Sequence, residues 1–104
     1  MEGGRIDALK EMLEKDPSDA TLYYFLGNEY LKVGKYAETI EAIRTYLSLA
    51  TDEGAAYRTL AQSLERTGKI VEARIAYQQG IDAANLHSHP GMAAEFEQAL
   101  KELG

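Results

Sequence analysis

The sequence predicts an all-α fold of stacked antiparallel helix pairs, and three observations carry that expectation. The first is an internal repeat: shifting the 104-residue chain along itself by 34 positions brings together residues of like size and polarity. The second is an apolar spacing of i, i+3, i+4, i+7 within each repeat, the mark of a helix face. The third is the pair Gly34 and Gly68, which fall where the first helix of each repeat has to stop. Glycine accepts the left-handed conformation of a C-terminal helix cap without a Cβ clash.

Under the shift, Tyr23 meets Tyr57, Leu26 meets Leu60, Gly27 meets Ala61 and Tyr30 meets Leu64. Lys32-Val33-Gly34-Lys35 meets Arg66-Thr67-Gly68-Lys69, Tyr36 meets Ile70, Glu38 meets Glu72, Ile43 meets Tyr77 and Leu47 meets Ile81. In the first unit Tyr23, Leu26, Gly27 and Tyr30 form one stripe, and Tyr36, Ile40, Ile43 and Leu47 form the next. The second unit copies these with Tyr57, Leu60, Ala61 and Leu64, then Ile70, Ala73, Tyr77 and Ile81. Gly27 and Ala61 sit on an apolar stripe without bulk, which implies close approach of a neighbouring helix.

The flanks complete the layout. Upstream, residues 6–17 keep the same register, with Ile6, Leu9, Met12 and Leu13 on one side of a helix and Asp16-Pro17 closing it. Downstream the period breaks at His87-Ser88-His89-Pro90, a loop with Pro90 suited to a first helical turn. Met92, Phe96, Leu100 and Leu103 then make a last stripe. Six helices are expected, over about residues 4–15, 19–33, 36–50, 53–67, 70–84 and 90–103.

These residues resemble the tetratricopeptide repeat family, whose pattern is an aromatic, then Leu-Gly, then Tyr, then Gly-x-aromatic, an Ala, an aromatic and a late Pro. The first unit carries it as Tyr23, Leu26-Gly27, Tyr30, Gly34-Lys35-Tyr36 and Ile43; the second as Tyr57, Leu60-Ala61, Leu64, Gly68-Lys69-Ile70, Ala73 and Tyr77. The resemblance implies a right-handed α-solenoid in one domain: a half repeat over 5–17, repeats over 20–53 and 54–87, and a capping helix over 88–104. Departures are Thr39 and Tyr46 where the family prefers small Ala, and Thr51 where Pro is usual, with Thr51 and Asp52 able to cap the next helix. Gly80 lies inside a helix, at a cost of about 1 kcal/mol relative to Ala.

Composition excludes several functions. A net charge of −6 disfavours phosphate-neutralising contact with nucleic acid and docking on anionic membranes. Without cysteine there are no disulfides, thiolate metal sites or cysteine nucleophiles. The polar start, Met1 to Arg5, shows no signal-peptide core, and the apolar run Leu22 to Leu26 is too short to span a bilayer, so a cytoplasmic location is expected. Gly3-Gly4 lacks the strand and the Lys-Ser/Thr of a phosphate loop. His87 and His89 are read as loop polarity rather than a metal pair, and the carboxylates as solvated helix faces. No catalytic constellation assembles, so no enzyme activity, metal or cofactor is expected.

What remains is binding. Repeat stacks curve and offer a concave surface. In the family that groove is lined by the first helix of each unit. By register the first unit contributes Thr21, Tyr24, Asn28, Leu31 and Lys32, and the second Ala55, Arg58, Thr59, Gln62, Glu65 and Arg66. Lys32, Arg58 and Arg66 against one Glu65 make these faces basic on an acidic chain, and Asn28 and Gln62 can hydrogen-bond a peptide backbone. The expected partner is a protein segment, extended and with acidic character, anchored by Asn28 and Arg58. The clamp with which some family members hold acidic chaperone tails is matched only at Asn28, since Tyr24 and Thr59 replace its Lys and Asn. An alternative is self-assembly into a homo-oligomer through the apolar side of the first helix, which lacks the partner helix of a complete unit.

Overall fold

The computed structural model describes residues 4–104. The polar Met1 to Gly3, part of the start read above, lies outside them. Among the described residues all regular structure is helical: α1 (Gly4–Lys15), α2 (Ala20–Lys32), α3 (Tyr36–Leu49), α4 (Ala55–Arg66), α5 (Ile70–Leu86) and α6 (Pro90–Leu103). Every predicted helix is present, with ends within two residues of expectation. The chain forms two compact units, the first ending at Ala50 and the second spanning Thr51–Gly104.

In the first unit α2 packs on both α1 and α3. Its stripe of Leu22, Leu26 and Tyr30 is buried with Ile6 and Leu9 of α1 and Ala42 of α3, and Leu13 is half-buried against them. The apolar side of α1 is therefore largely consumed inside the unit, while Met12 stays 53% exposed. Asp19 starts α2, its carboxylate accepting from the Thr21 amide at 3.0 Å. The Tyr23 hydroxyl donates to the Pro17 carbonyl at 2.9 Å and holds the α1–α2 turn. Gly27 earns its place: a Cβ there would stand 2.6 Å from Ile43 Cδ1, and Ile43 is fully buried.

The helix stops work as the sequence requires. Gly34 and Gly68 adopt φ of 74° and 77°. The following amides close the caps, Lys35 to the Tyr30 carbonyl at 2.9 Å and Lys69 to that of Leu64 at 2.8 Å.

In the second unit α5 packs on α4 and α6. Asp52 and not Thr51 caps α4, accepting from the amides of Gly54 at 2.8 Å and Ala56 at 2.9 Å. Ala73, Tyr77 and Ile81 are buried as the stripe requires, joined by Ala76, Gly80 and Ala84. Ile70 is a correction: at the first position of α5 it is 38% exposed, because the helix has only begun and no turn precedes it. The α6 helix lays Phe96, fully buried, against the bare backbone of Gly80.

Candidate partner-binding faces

On α2 the residues proposed from register share one face. Thr21 and Lys32 are exposed, and Tyr24, Asn28 and Leu31 are half-buried. Helical geometry places them there, since the opposite side carries the buried Leu22, Leu26, Gly27 and Tyr30. The Tyr24 ring lies 5.0 Å from that of Tyr46 on α3 and 6.3 Å from that of Phe25. Tyr46, large where the family prefers Ala, thus supports an aromatic cluster on this side of the hairpin. Phe25 is 43% exposed and extends the cluster into solvent. Lys32 is ion-paired to Glu29 at 3.0 Å, and Glu29 is shared with Arg5 at 3.2 Å.

On α4 the register-derived set divides. Gln62 and Arg66 are exposed, and Ala55, Arg58 and Glu65 are half-buried. Thr59 is buried at 8% exposure, against the expectation that it lines an open face. Its neighbours one turn away, Ala56 and Ser63, are fully buried and small, so the buried arc of α4 extends past the apolar stripe and takes Thr59 with it. Glu65 turns to α5, where its carboxylate accepts from the Tyr77 hydroxyl. Burial, and then this bond, push the Tyr77 hydroxyl well above the usual tyrosine range.

Arg58 is engaged within the unit. Its Nε and Nη2 donate to the two oxygens of Glu95 on α6 at 2.6 and 2.7 Å. The guanidinium also lies 5.5 Å from the centroid of the Phe96 ring. The hydrogen bonds from Arg58 hold the Glu95 carboxyl below the ordinary carboxylate range. The basic character that the sequence assigns to these faces is thus reduced by Glu95 at Arg58 and by Glu29 at Lys32.

His87 and His89 sit in the turn between α5 and α6. His89 Nε2 is 2.6 Å from Glu53 Oε1, and this bond lowers the Glu53 carboxyl below its ordinary range. Among the described residues no group of three or more His, Cys, Asp or Glu side chains is placed to hold a metal ion. No helix among them is long and apolar enough to cross a membrane.

No family model matches the sequence. The chain is 26% identical over 98 residues to TPR repeat-containing protein PA0015 of Pseudomonas aeruginosa, a match covering 94% of this chain and 93% of that protein. A similarity of that extent, the 34-residue register and six helices in hairpin order among the described residues agree with one another. The chain is all-helical among its described residues and is similar to a repeat protein of the tetratricopeptide type. Tyr24, Asn28, Leu31 and Lys32 lie on the side of α2 away from its buried stripe, and Arg58, Gln62 and Arg66 are half-buried or exposed on α4.

Sequence reasoning missed two participants. Phe25 stands between stripe residues Tyr23 and Leu26 and looks like one of them by composition; only its position 100° round the helix shows that it belongs to the other face. By its sequence Glu95 is one of many carboxylates on solvated helix faces. Its partner lies 37 residues away, and nothing local signals it.

Proposed function

We propose that the chain is a protein–protein interaction scaffold that holds a segment of a partner protein against the outward face of α2. The reading is supported by one observation above all. Tyr24, Phe25, Asn28, Leu31 and Lys32 gather on a single side of α2, half-buried or exposed, and are not used by the core of their unit. Aromatic and aliphatic area beside an amide suits an extended segment. The rings take side chains, and Asn28 offers both a donor and an acceptor to the main chain. Gln62 offers the same on α4, with Arg66 one turn on. The similarity to a TPR repeat-containing protein agrees with this class of function. Because Arg58 is held by Glu95, the anchor of the interaction is Asn28 with its aromatic neighbours.

The test is a paired capture from cell extract, read by mass spectrometry. One bait is the natural chain, and the other carries Asn28→Ala and Lys32→Ser, with helicity checked by circular dichroism. Arg58 is left intact, since its replacement would disturb α6. A protein retained by the first bait and lost by the second supports the reading and names the partner. Identical captures, or capture of nothing but the bait itself, overturn it.

A further inference from the structure

At the start of α6 a thioether sulfur fills a notch that a glycine leaves open. Gly54, the N-cap of α4, takes φ of 141°, and a Cβ built on it would fall on the Met92 Sδ atom. The same point lies 3.6 Å from Ala84 Cβ and 3.7 Å from the Gly80 carbonyl oxygen, both of α5. The sulfur therefore sits where α4, α5 and α6 converge. Two amides at the start of α4 are already taken, since Gly54 and Ala56 donate to Asp52 at 2.8 and 2.9 Å. Met92 is half-buried in the first turn of α6, whereas Met12 on α1 is exposed.

We propose that Met92 is a reversible redox latch: oxygen transfer from a peroxide to its thioether releases the start of α6 from α4 and α5. The sulfur lone pair attacks one oxygen of hydrogen peroxide, an S–O bond forms as the O–O bond breaks, and the other oxygen leaves as water. Sulfur gives up two electrons and the peroxide gains them. The product needs room for an oxygen on a sulfur that is already packed against Gly54. That oxygen accepts hydrogen bonds, yet it meets a carbonyl and a methyl group, and Asp52 holds two of the amides. A polar atom packed without a donor forfeits its hydration, and overfilled packing adds to the loss. Helix ends open more readily than helix middles, so the first turn of α6 both admits the peroxide and gives way afterwards. Phe96, one turn on and fully buried, keeps the rest of α6 docked. Oxidation of Met12 leaves the new oxygen largely in solvent and disturbs no such contact. A dithiol working through methionine sulfoxide reductases takes the oxygen off as water and restores the thioether. The latch uses none of the residues of the α2 face and does not rest on its binding role.

The experiment treats the folded chain with hydrogen peroxide and follows three readouts. Peptide mapping by mass spectrometry reports oxygen at each methionine, circular dichroism the thermal midpoint, and hydrogen exchange the protection of residues 87–96. The natural chain is compared with Met12→Leu and Met92→Leu, Leu being close to Met in volume and tolerated in packed sites. The natural and Met12→Leu chains are expected to take up oxygen at Met92 and lose about 5 °C of thermal midpoint. Their 87–96 segment should exchange faster, and the two stereospecific methionine sulfoxide reductases with dithiothreitol should reverse both effects. Met92→Leu should keep its midpoint and its protection. The proposal is overturned if Met92 stays reduced while Met12 is oxidised, or if oxygen at Met92 changes neither readout. It is equally overturned if Met92→Leu loses as much as the natural chain, or if reduction of Met92 fails to restore protection.

Discussion

Arg58 of α4 and Glu95 of α6 meet in a two-point fork, both nitrogen–oxygen distances at or below 2.7 Å, beside the buried Phe96 ring. The fork ties the terminal helix to the first helix of its unit. About half of the Glu95 side chain is exposed, so the pair belongs with partly solvated bridges, worth up to about 1 kcal/mol. Glu95→Gln is expected to lower stability by about 0.5–1 kcal/mol in urea denaturation. The sign of the pH dependence follows from the depressed carboxyl. Stability from a carboxylate held below its unfolded value of 4.5 is fully present above that pH and is lost as the pH falls through the lower folded value. The advantage of the natural chain over Glu95→Gln should therefore shrink on acidification below about 4.5. A constant advantage would mean that the fork is not its source.

Gly80 is expected to resist enlargement. An added Cβ would lie 2.7 Å from Phe96 Cε2 and 3.1 Å from Tyr57 Cβ. Alanine gains about 1 kcal/mol of helix propensity over glycine. Overpacking costs about 1–3 kcal/mol, and a fully buried ring has little room to yield. Gly80→Ala should therefore be destabilising, by up to about 2 kcal/mol in chemical denaturation. Combining it with Phe96→Leu should cost less than the sum of the two single changes; additive losses would show that ring and glycine are not in conflict.

Gly27 makes the same kind of contact with a different neighbour, and the repeat explains the difference. Its counterpart one repeat on is Ala61, fully buried and accommodated. The residue in the register of Ile43 is there Tyr77. The Ile43 Cδ1 and Cγ1 atoms lie 2.6 and 2.8 Å from where a Gly27 Cβ would be. Gly27→Ala is expected to lower the thermal midpoint, and Ile43→Val, which removes Cδ1, should relieve part of that loss when the two are combined. A Gly27→Ala chain as stable as the natural one would refute the close approach.

The helical layout was legible because it is written in short-range terms: apolar spacing, a capping glycine, a proline in a first turn. Even the small residue Gly27 points to a tight contact, whereas Gly80 leaves a close neighbour and simple tolerance both open, and only the fold shows that it admits Phe96. The faces were less legible. Helical period tells which residues avoid the apolar stripe, but it does not tell how wide the buried arc is. Thr59 was lost that way, being flanked by Ala56 and Ser63, whose small side chains are neutral in any hydropathy reading. The sequence offers Arg58 as an anchor for a partner because its counter-charge comes from a helix that follows a break in the period.

Ser88 ends α5 in the role that Gly34 and Gly68 play at the ends of α2 and α4. It takes φ of 62°, and the His89 amide closes on the Ala84 carbonyl at 2.7 Å, the same geometry as in the glycine caps. A residue with a Cβ is disfavoured in this conformation by about 1 kcal/mol or more. Ser88→Gly is thus expected to stabilise by about 0.5–1 kcal/mol, after the greater flexibility of unfolded glycine is subtracted. A measured destabilisation would mean that the serine side chain contributes something its strain conceals.

Glu53 and His89 provide the last prediction, and it concerns titration. Hydrogen bonding from His89 is the largest cause of the lowered Glu53 carboxyl, ahead of an opposing desolvation and weaker attraction from His87 and His89. The bond lowers it only if the ring donates through Nε2. In His89→Ala the Glu53 carboxyl should therefore titrate closer to its ordinary 4.5, read from the carboxyl carbon by NMR. The associated stabilisation is present above that pH and is lost as the pH falls through the lower folded value, so it adds to the acid sensitivity that Glu95 confers. If Glu53 titrates at the same point with and without His89, the ring is not the donor, and the turn between α5 and α6 is held to the start of α4 by backbone and packing alone.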